Sequence, residues 1–130
     1  MSREITTYNV NTAIQLKLEV LDEPGADGAN HLYNITGFNS ASNASNPWVT
    51  RPGQPEESLT ILFQNGPVLE KGANGITQEV LLAVLIDRLC SFQAGPSACR
   101  DSAIALFHVE EALTWLQRRA AEHIQHDVMI

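Results

Sequence analysis

Two long helical segments in the C-terminal half, residues 77–125, constrain the fold of this chain more than any other feature. The first segment begins after Thr77, whose side chain can accept a hydrogen bond from the first helical turn. Glu79 then lies in that turn, where the helix dipole favours an anion. Gly95-Pro96 interrupts the pattern, and we expect Pro96 to start a second helix, where its missing N–H costs nothing. The sequence therefore predicts a helical hairpin.

The two segments differ in how much apolar surface they carry. Steps of three and four residues place six apolar side chains of the second segment on one face: Leu106, Val109, Leu113, Leu116, Ala120 and Ile124. The first segment has two apolar faces, formed by Leu81, Val84, Leu85 and Phe92 and by Leu82, Ile86 and Leu89. The second helix can cover only one of them. We therefore expect the other face to contact either the N-terminal half or a second copy. Contact with a second copy would give a homodimer, and dimers could assemble further into a hexamer.

The N-terminal half alternates apolar and polar residues in three places, which is typical of half-buried strands. These segments are residues 13–21, 31–38 and 59–64, with a turn cluster at 22–28 between the first two. Asn65-Gly66-Pro67 resembles a hairpin turn, so we also expect a short returning strand at 68–70. The predicted fold is α+β, a small antiparallel sheet followed by an antiparallel helical hairpin. We expect a β region at 1–75 and a hairpin at 76–130 within one compact domain.

A long loop is predicted at residues 39–57, which are rich in Ser, Asn, Pro and Gly. Trp48 and Arg51 interrupt it. One interpretation is that Trp48 fixes the loop to the sheet. The other is a lid over a ligand, in which the Trp48 ring stacks and Arg51 contacts a phosphate.

The charge balance limits the classes of partner. The formal net charge is −7, from 15 acidic and 8 basic residues. Duplex nucleic acid and anionic membranes both favour a basic surface, so neither is expected as a partner. A small phosphorylated ligand remains compatible, because it needs only a few donors. No apolar run has the length of a signal peptide or a membrane span, which predicts a cytoplasmic protein.

No residue pattern indicates catalysis, a metal site or a cofactor. The histidines lack the paired spacing of metal motifs, and no nucleophile stands in a recognisable catalytic context. We therefore expect no enzyme activity. Cys90 and Cys99 lie at facing ends of the two helical segments, and we expect both to be reduced and buried as small apolar residues.

Three motifs in the helical half resemble a known phage family. They are E-x-L-L-x-V-x-x-D-R-L at 79–89, F-Q-x-G-x-x-A-C-R at 92–100 and E-E-A-L-x-W-L at 110–116. They resemble the helical-hairpin module shared by Thoeris anti-defence sponges and anti-CBASS nucleotide sponges. Residues 63–75 resemble the strand and loop of the Thoeris type. The resemblance implies a phage protein in the host cytoplasm that sequesters a cyclic ADP-ribose isomer, or also a cyclic oligonucleotide, without cleaving it.

The resemblance also implies which residues contact the ligand. In the Thoeris type an aromatic residue and an amide bind the trapped signal, and Phe63 and Asn74 are the nearest matches, with Asn65 as a substitute for the amide. An arginine near the long loop contributes as well, which implies a role for Arg51. The alternation of Phe63 with apolar neighbours equally predicts a core residue.

Arg118, Arg119 and His123 lie near the end of the second helical segment. One interpretation is a basic last turn that complements the helix dipole. The other is a phosphate clamp completed by a symmetry-related copy. Related sponges carry more basic residues here, so the site for a cyclic oligonucleotide is in doubt.

Two functions from different classes are thus consistent with the sequence. The first is a sponge that binds a cyclic nucleotide signal between protomers. The second is a small protein–protein interaction module, acting as a phage assembly or regulatory factor through the two-faced first helix.

Overall fold

The computed structural model describes residues 2–8, 16–46 and 57–125. The chain divides into two compact units, residues 1–62 and 63–130. The first unit contains the strands and the second contains the helices, so the α+β class predicted from the sequence is confirmed. Neither chain end nor the segment 47–56 belongs to the described part.

The first unit is a four-stranded antiparallel sheet in which each strand pairs with its neighbour in sequence. The strands are β1 (Arg3–Ile5), β2 (Lys17–Val20), β3 (Leu32–Phe38) and β4 (Glu57–Leu62). Antiparallel pairing favours this arrangement, because strands that follow one another in sequence can then lie side by side without a crossover connection.

The register places six apolar residues of β2, β3 and β4 on one face of the sheet. Val20 pairs with Tyr33, and Tyr33 pairs with Ile61. A second row joins Leu18, Ile35 and Leu59 in the same way. Val20 is completely buried. A shift by one residue would turn these side chains to the opposite face, so burial fixes the register.

The predicted strands agree with the observed ones where the structure describes them. β2, β3 and β4 lie within or beside the predicted segments, although residues 13–15 fall outside the described part. β1 was not predicted. It is three residues long and carries two charged residues, so alternation alone could not identify it.

The ends of the predicted loop 39–57 are tied together by one carboxylate. Residues Ser40–Ser42 form a 3-10 turn after Asn39. The backbone N–H and the hydroxyl of Ser40 donate to the Glu57 carboxylate at 2.7 and 2.5 Å. The bond from the Ser40 hydroxyl, and after it the bond from the Ser40 N–H, lowers the pKa of Glu57. Trp48 and Arg51 lie outside the described residues.

The second unit contains α1 (Val68–Lys71), α2 (Gln78–Gln93) and α3 (Arg100–Gln125). The predicted returning strand at 68–70 is wrong, because these residues form α1. Pro67 fixes the backbone before the turn, and its carbonyl accepts from the N–H groups of Glu70 and Lys71. Gly72, with φ 72°, then ends the helix.

The start of α2 is as predicted, whereas the start of α3 is not. The Thr77 hydroxyl accepts from the Val80 N–H at 3.3 Å. Pro96 does not open the second helix, because residues 94–99 form the connecting turn and α3 begins at Arg100. The Cys99 sulfur accepts from the Ser102 N–H at 3.4 Å, in the position of a helix cap.

The predicted stripe of α3 is confirmed for its described side chains. Five of its members are the half-buried apolar residues of the helix: Leu106, Val109, Leu113, Leu116 and Ala120. On α2 the half-buried set includes Leu82, Ile86 and Leu89, and the two helices pack on each other. The other α2 face keeps Val84 61% exposed.

Two further findings concern the helices. Cys90 and Cys99 are free and exposed, so the prediction of buried cysteines is wrong. In the described part of the chain, no helix is both long enough and apolar enough to cross a membrane.

Candidate ligand-binding site

Gln64 is the centre of the loop that joins the end of β4 to α2. Its side chain is among the few buried polar ones of the described residues, with the whole residue 7% exposed. The carboxamide nitrogen donates to the carbonyls of Gly66 at 3.0 Å and Gly72 at 2.8 Å. The carboxamide oxygen accepts from the Asn74 N–H at 2.9 Å. One side chain therefore ties together the two glycine-containing turns that flank α1.

Asn74 and Asn65 form a second tie across the same loop. The Asn74 side-chain oxygen accepts from the Asn65 N–H at 2.9 Å. The Asn74 side-chain nitrogen donates to the Asn65 carbonyl at 2.8 Å. The Asn74 amide thus satisfies both backbone groups of Asn65 in the way that a neighbouring strand would. The exposed side chain of Asn65 takes no part in these two bonds, which use only its backbone.

Phe63 is held on the other side of the loop by close backbone approach. Phe63 and Ile76 form a parallel bridge, and the Gln64 N–H donates to the Ile76 carbonyl at 2.9 Å. A Cβ on Gly75 would lie 2.5 Å from the Phe63 carbonyl carbon. Only glycine allows the two backbone segments to come this close.

The structure therefore brings three of the sequence-predicted site residues into one loop. Phe63 is half-buried, whereas Asn65 and Asn74 are exposed. Sequence reasoning missed Gln64, because strand alternation placed it only on the face opposite Phe63. A polar residue at the end of an apolar strand, followed directly by Asn-Gly-Pro, was the available signal.

The predicted basic group near the end of α3 is partly engaged within the helix. The Arg118 guanidinium lies 5.4 Å from the centre of the Trp115 ring and 3.6 Å from a Glu122 oxygen. Its side chain is 68% exposed. Arg119 is exposed and His123 is half-buried. A guanidinium resting on an indole face keeps its outer edge available for an anion.

Antiparallel pairing relates this basic group to the loop. α2 has 16 residues and α3 has 26, so α3 is longer by 26 − 16 = 10 residues. Because a six-residue turn joins the two helices, the lengths imply that those last residues extend past the start of α2, toward the end of the hairpin where the loop 63–77 enters. Topology thus places Arg118, Arg119 and His123 at the loop end of the second unit, rather than at the turn 94–99.

Comparison with known proteins matches this part of the chain to a described family. The family model "Acb2/Tad1, hairpin domain" matches residues 55–121, which is slightly more than half of the chain. The chain belongs to the Acb2/Tad1 hairpin family. Its family segment covers β4, the Gln64 loop, α1, α2 and most of α3, so the loop and the basic residues Arg118 and Arg119 lie inside it.

A curated relative agrees with this assignment. The chain is 49% identical over 69 residues to "Thoeris anti-defense 1" of Bacillus phage SBSphiJ7. The match covers 53% of this chain and 49% of that protein. The chain thus spans about half the length of the curated relative that it matches.

The remaining ionisable groups give no indication of a metal centre. Among residues 2–8, 16–46 and 57–125, no three His, Cys, Asp or Glu side chains lie close enough together to hold a metal ion. Hydrogen bonds between the Cys99 sulfur and the Ser102 hydroxyl, and between the sulfur and the Ser102 N–H, lower the pKa of Cys99. This follows from its position at the start of α3, where a thiolate is favoured.

Proposed function

We propose that this chain is a phage Thoeris anti-defence protein that binds and sequesters a cyclic ADP-ribose-type immune signal in the host cytoplasm. The observation that carries the proposal is the 49% identity to a Thoeris anti-defence protein over a segment of 69 residues. The ligand is retained without cleavage, and the protein acts by mass action. Competition with a receptor requires an affinity on the order of nanomolar, about −12 kcal/mol.

The chemistry of the Gln64 loop supports such a ligand. The Phe63 ring is proposed to contact adenine, and the exposed amide of Asn65 suits a base edge or a ribose hydroxyl. The Asn74 amide keeps one N–H beyond its two bonds to the Asn65 backbone, and this donor is its proposed ligand contact. The loop is held by five side-chain hydrogen bonds between 2.8 and 3.0 Å. A loop ordered before binding loses little entropy when the ligand arrives.

The basic residues at the same end of the hairpin supply the contacts that a diphosphate needs. Arg118, Arg119 and His123 are the proposed phosphate ligands from α3. Trp48 and Arg51 lie outside the described residues, and their proposed contacts rest on the sequence resemblance alone. A cyclic oligonucleotide is the alternative ligand of the basic group.

The exposed apolar surface of the hairpin supports assembly into a homodimer or a hexamer. Six side chains contribute, each 44–63% exposed: Val80, Val84, Leu85, Ile104, Phe107 and Trp115. Apolar surface on both helices of one hairpin is typical of a buried interface. Burial against a second copy would complete the ligand site from two protomers.

Calorimetric titration with defined ligands tests the proposal. We expect tight binding of cyclic ADP-ribose or one of its ribose-linked isomers, and weaker binding of linear ADP-ribose. Phe63→Leu is expected to weaken binding about tenfold or more, because stacking contributes about 1–3 kcal/mol. Leu69→Ala is the matched control, since Leu69 is 87% exposed on the same loop. Absence of heat with every cyclic ADP-ribose isomer and cyclic dinucleotide would overturn the proposal.

Recovery of the ligand separates a sponge from an enzyme. The protein is loaded with the isomer that binds, washed to remove free ligand, and heated. The mass of the released compound is then measured by mass spectrometry. A sponge returns the intact cyclic compound. A product with the mass of one added water would show hydrolysis and contradict sequestration.

The exposed hairpin surface also favours the second candidate, a protein–protein interaction module. In that case the surface formed by Val84, Phe107 and Trp115 binds a different protein, and the loop has only a structural role. The purified chain would then be a monomer in sedimentation equilibrium, would bind no cyclic nucleotide, and would retain a protein partner that Val84→Asp releases.

A further inference from the structure

Both polar atoms of the Gln64 side chain bind backbone groups of its own loop. A carboxamide has two donor hydrogens and an acceptor oxygen. Here the donors bind the carbonyls of Gly66 and Gly72, and the acceptor binds the Asn74 N–H. These three backbone groups come from both sides of α1. No side chain other than a glutamine or asparagine can offer two donors and an acceptor from one planar group, and asparagine is one methylene shorter.

The Gln64 side chain also constrains the backbone of the three loop residues that are proposed to contact the ligand. Gln64 precedes Asn65 in the chain and follows Phe63, while its oxygen holds the backbone of Asn74. Asn74 in turn binds both backbone groups of Asn65. A displacement of Gln64 therefore moves Phe63, Asn65 and Asn74 together.

We propose that Gln64 is the positioning residue of the ligand site, and that it holds Phe63, Asn65 and Asn74 in the binding arrangement without touching the ligand. The inference rests on the proposed function, because it concerns the same loop. Gln64 is buried, so its effect on affinity passes through the backbone. We expect loss of its bonds to leave the Phe63–Ile76 bridge in place, but without a fixed separation of the two turns that flank α1.

Two substitutions distinguish positioning from general stability. Gln64→Leu keeps the size of the side chain and removes all three hydrogen bonds. Gln64→Glu keeps an acceptor for the Asn74 N–H, but its carboxylate faces the two carbonyls that the carboxamide nitrogen formerly bound. Burial next to these carbonyls raises the pKa of the introduced carboxyl, so it regains a donor as the pH falls.

Gln93→Leu provides a matched control in the same unit. The Gln93 carboxamide oxygen accepts from the Cys99 N–H at 3.1 Å and closes the turn at the opposite end of the hairpin. This variant loses a similar side-chain bond to the backbone, but far along the helices from the loop. All variants are compared at a temperature at which circular dichroism shows the native helix content.

The expected result has two parts, measured by titration with the cyclic ADP-ribose isomer that binds the unmodified protein. At pH 7.5, Gln64→Leu and Gln64→Glu bind about tenfold or more weakly, because the ligand must now order the loop. Gln93→Leu binds like the unmodified protein. Between pH 7.5 and 5, Gln64→Glu recovers affinity, whereas Gln64→Leu does not.

Each other outcome overturns the inference and shows what has failed. If folded Gln64→Leu and Gln64→Glu bind the ligand with unchanged affinity, Gln64 only stabilises the fold, and the proposed function still stands. An equal loss in Gln93→Leu assigns the effect to the stability of the whole unit. Affinity of Gln64→Glu that does not recover at pH 5 contradicts the donor role. An unmodified protein that binds no isomer overturns the proposed function, and this inference with it.

Discussion

Each unit of the molecule contains one buried polar residue among those described, and the two are held by different chemistry. His31 in the sheet unit is 3% exposed and Gln64 in the helical unit is 7% exposed. His31 Nε2 lies 2.9 Å from an Asp27 oxygen. Gln64 binds only neutral backbone groups. One turn is therefore organised by ionisable groups, and the other by amides.

The carboxylates of the His31 turn also bind the backbone. Asp22 accepts from the N–H groups of His31 and Leu32 at 2.9–3.1 Å, and Asp27 accepts from the Ala29 N–H at 2.9 Å. His31 Nδ1 is buried, and among the described residues it has no hydrogen-bond partner. It lies 3.8 Å from the nearer Asp22 oxygen. The His31 turn is thus incompletely satisfied, whereas both polar side-chain atoms of Gln64 are bonded.

This difference has a physical consequence. Neutral amide bonds keep their strength across the pH range in which proteins function, because neither partner titrates. Carboxylate bonds are stronger but depend on pH. A loop proposed to hold its shape for a ligand uses the first kind, and a turn that only connects β2 to β3 uses the second.

The largest expected effect is on the amide-held turn, and it comes from Gly75→Ala. The added methyl group would lie 2.5–2.7 Å from the Phe63 carbonyl group and the Gln64 nitrogen. Backbone atoms on both sides must move, which costs about 1–3 kcal/mol or more. Denaturant unfolding measures the loss. Gly95→Ala is the matched control, because its added Cβ would lie 3.4 Å from the Ser91 carbonyl oxygen, an ordinary contact distance. A stability of Gly75→Ala equal to that of the parent would disprove the close approach.

The next effect is on the carboxylate-held turn. His31→Leu removes the bond to Asp27 and leaves that carboxylate without its side-chain partner. We expect a loss of about 1–2 kcal/mol in unfolding free energy. Hydrogen exchange should localise the loss to the N–H groups of Ala29 and Leu32, while the N–H of Asn74 keeps its protection. Equal loss of protection in both turns would show that the two are not independent.

A pH titration sharpens the contrast. Burial would raise the pKa of Asp22, but N–H bonds from His31 and Leu32 outweigh it and lower the pKa below 3.8. The hydrogen bond from the Ala29 N–H lowers the pKa of Asp27. Burial opposes this effect, and the contact with His31 adds to it. A lowered folded-state pKa means that the stabilisation is complete above the unfolded pKa and is lost as the pH falls through the folded pKa.

Acidification from pH 5 toward 2 should therefore open the His31 turn before the Gln64 turn. Local opening free energies from hydrogen exchange, corrected for intrinsic rates, measure this order. In the double variant Asp22→Asn and Asp27→Asn, the local opening free energy of the His31 turn should depend much less on pH. The comparison fails if both turns open at the same pH. It also fails if the opening free energy of the His31 turn still depends on pH in the double variant as it does in the unmodified protein.

The smallest effect is expected for a polar pair on the surface of the sheet. The Thr60 hydroxyl donates to the Asn34 side-chain oxygen at 3.0 Å, and the pair is exposed. Thr60→Val should change the unfolding free energy by about 0.5 kcal/mol or less, because water replaces the lost bond. A larger change would show that burial is not what separates His31 and Gln64 from ordinary polar contacts.

The parts of the fold that local pattern dictates were predictable. Period-two alternation found β2 to β4, and the Thr77 cap and the stripe from Leu106 to Ala120 defined α2 and α3. Two errors followed from local signals with two meanings. Asn-Gly-Pro fits either a hairpin turn or the entry to a helix, and Pro96 fits either a first turn or the connection before it.

The candidate site was predictable only as a neighbourhood. Phe63, Asn65 and Asn74 came from resemblance, and the structure places them in one loop. Gln64 was not predicted, because its role depends on carbonyls of Gly66 and Gly72 that approach it only after α1 has formed.

The sequence by itself determined the class of the fold, the succession of β2 to β4 and the two long helices, and the apolar faces of the helical hairpin, because these depend on the spacing of neighbouring residues. Tertiary structure alone decided which polar side chains became buried and what they bind. Hydrogen bonds such as those of Gln64 join groups that sequence spacing does not relate, and a buried polar group remains stable only where such partners meet it.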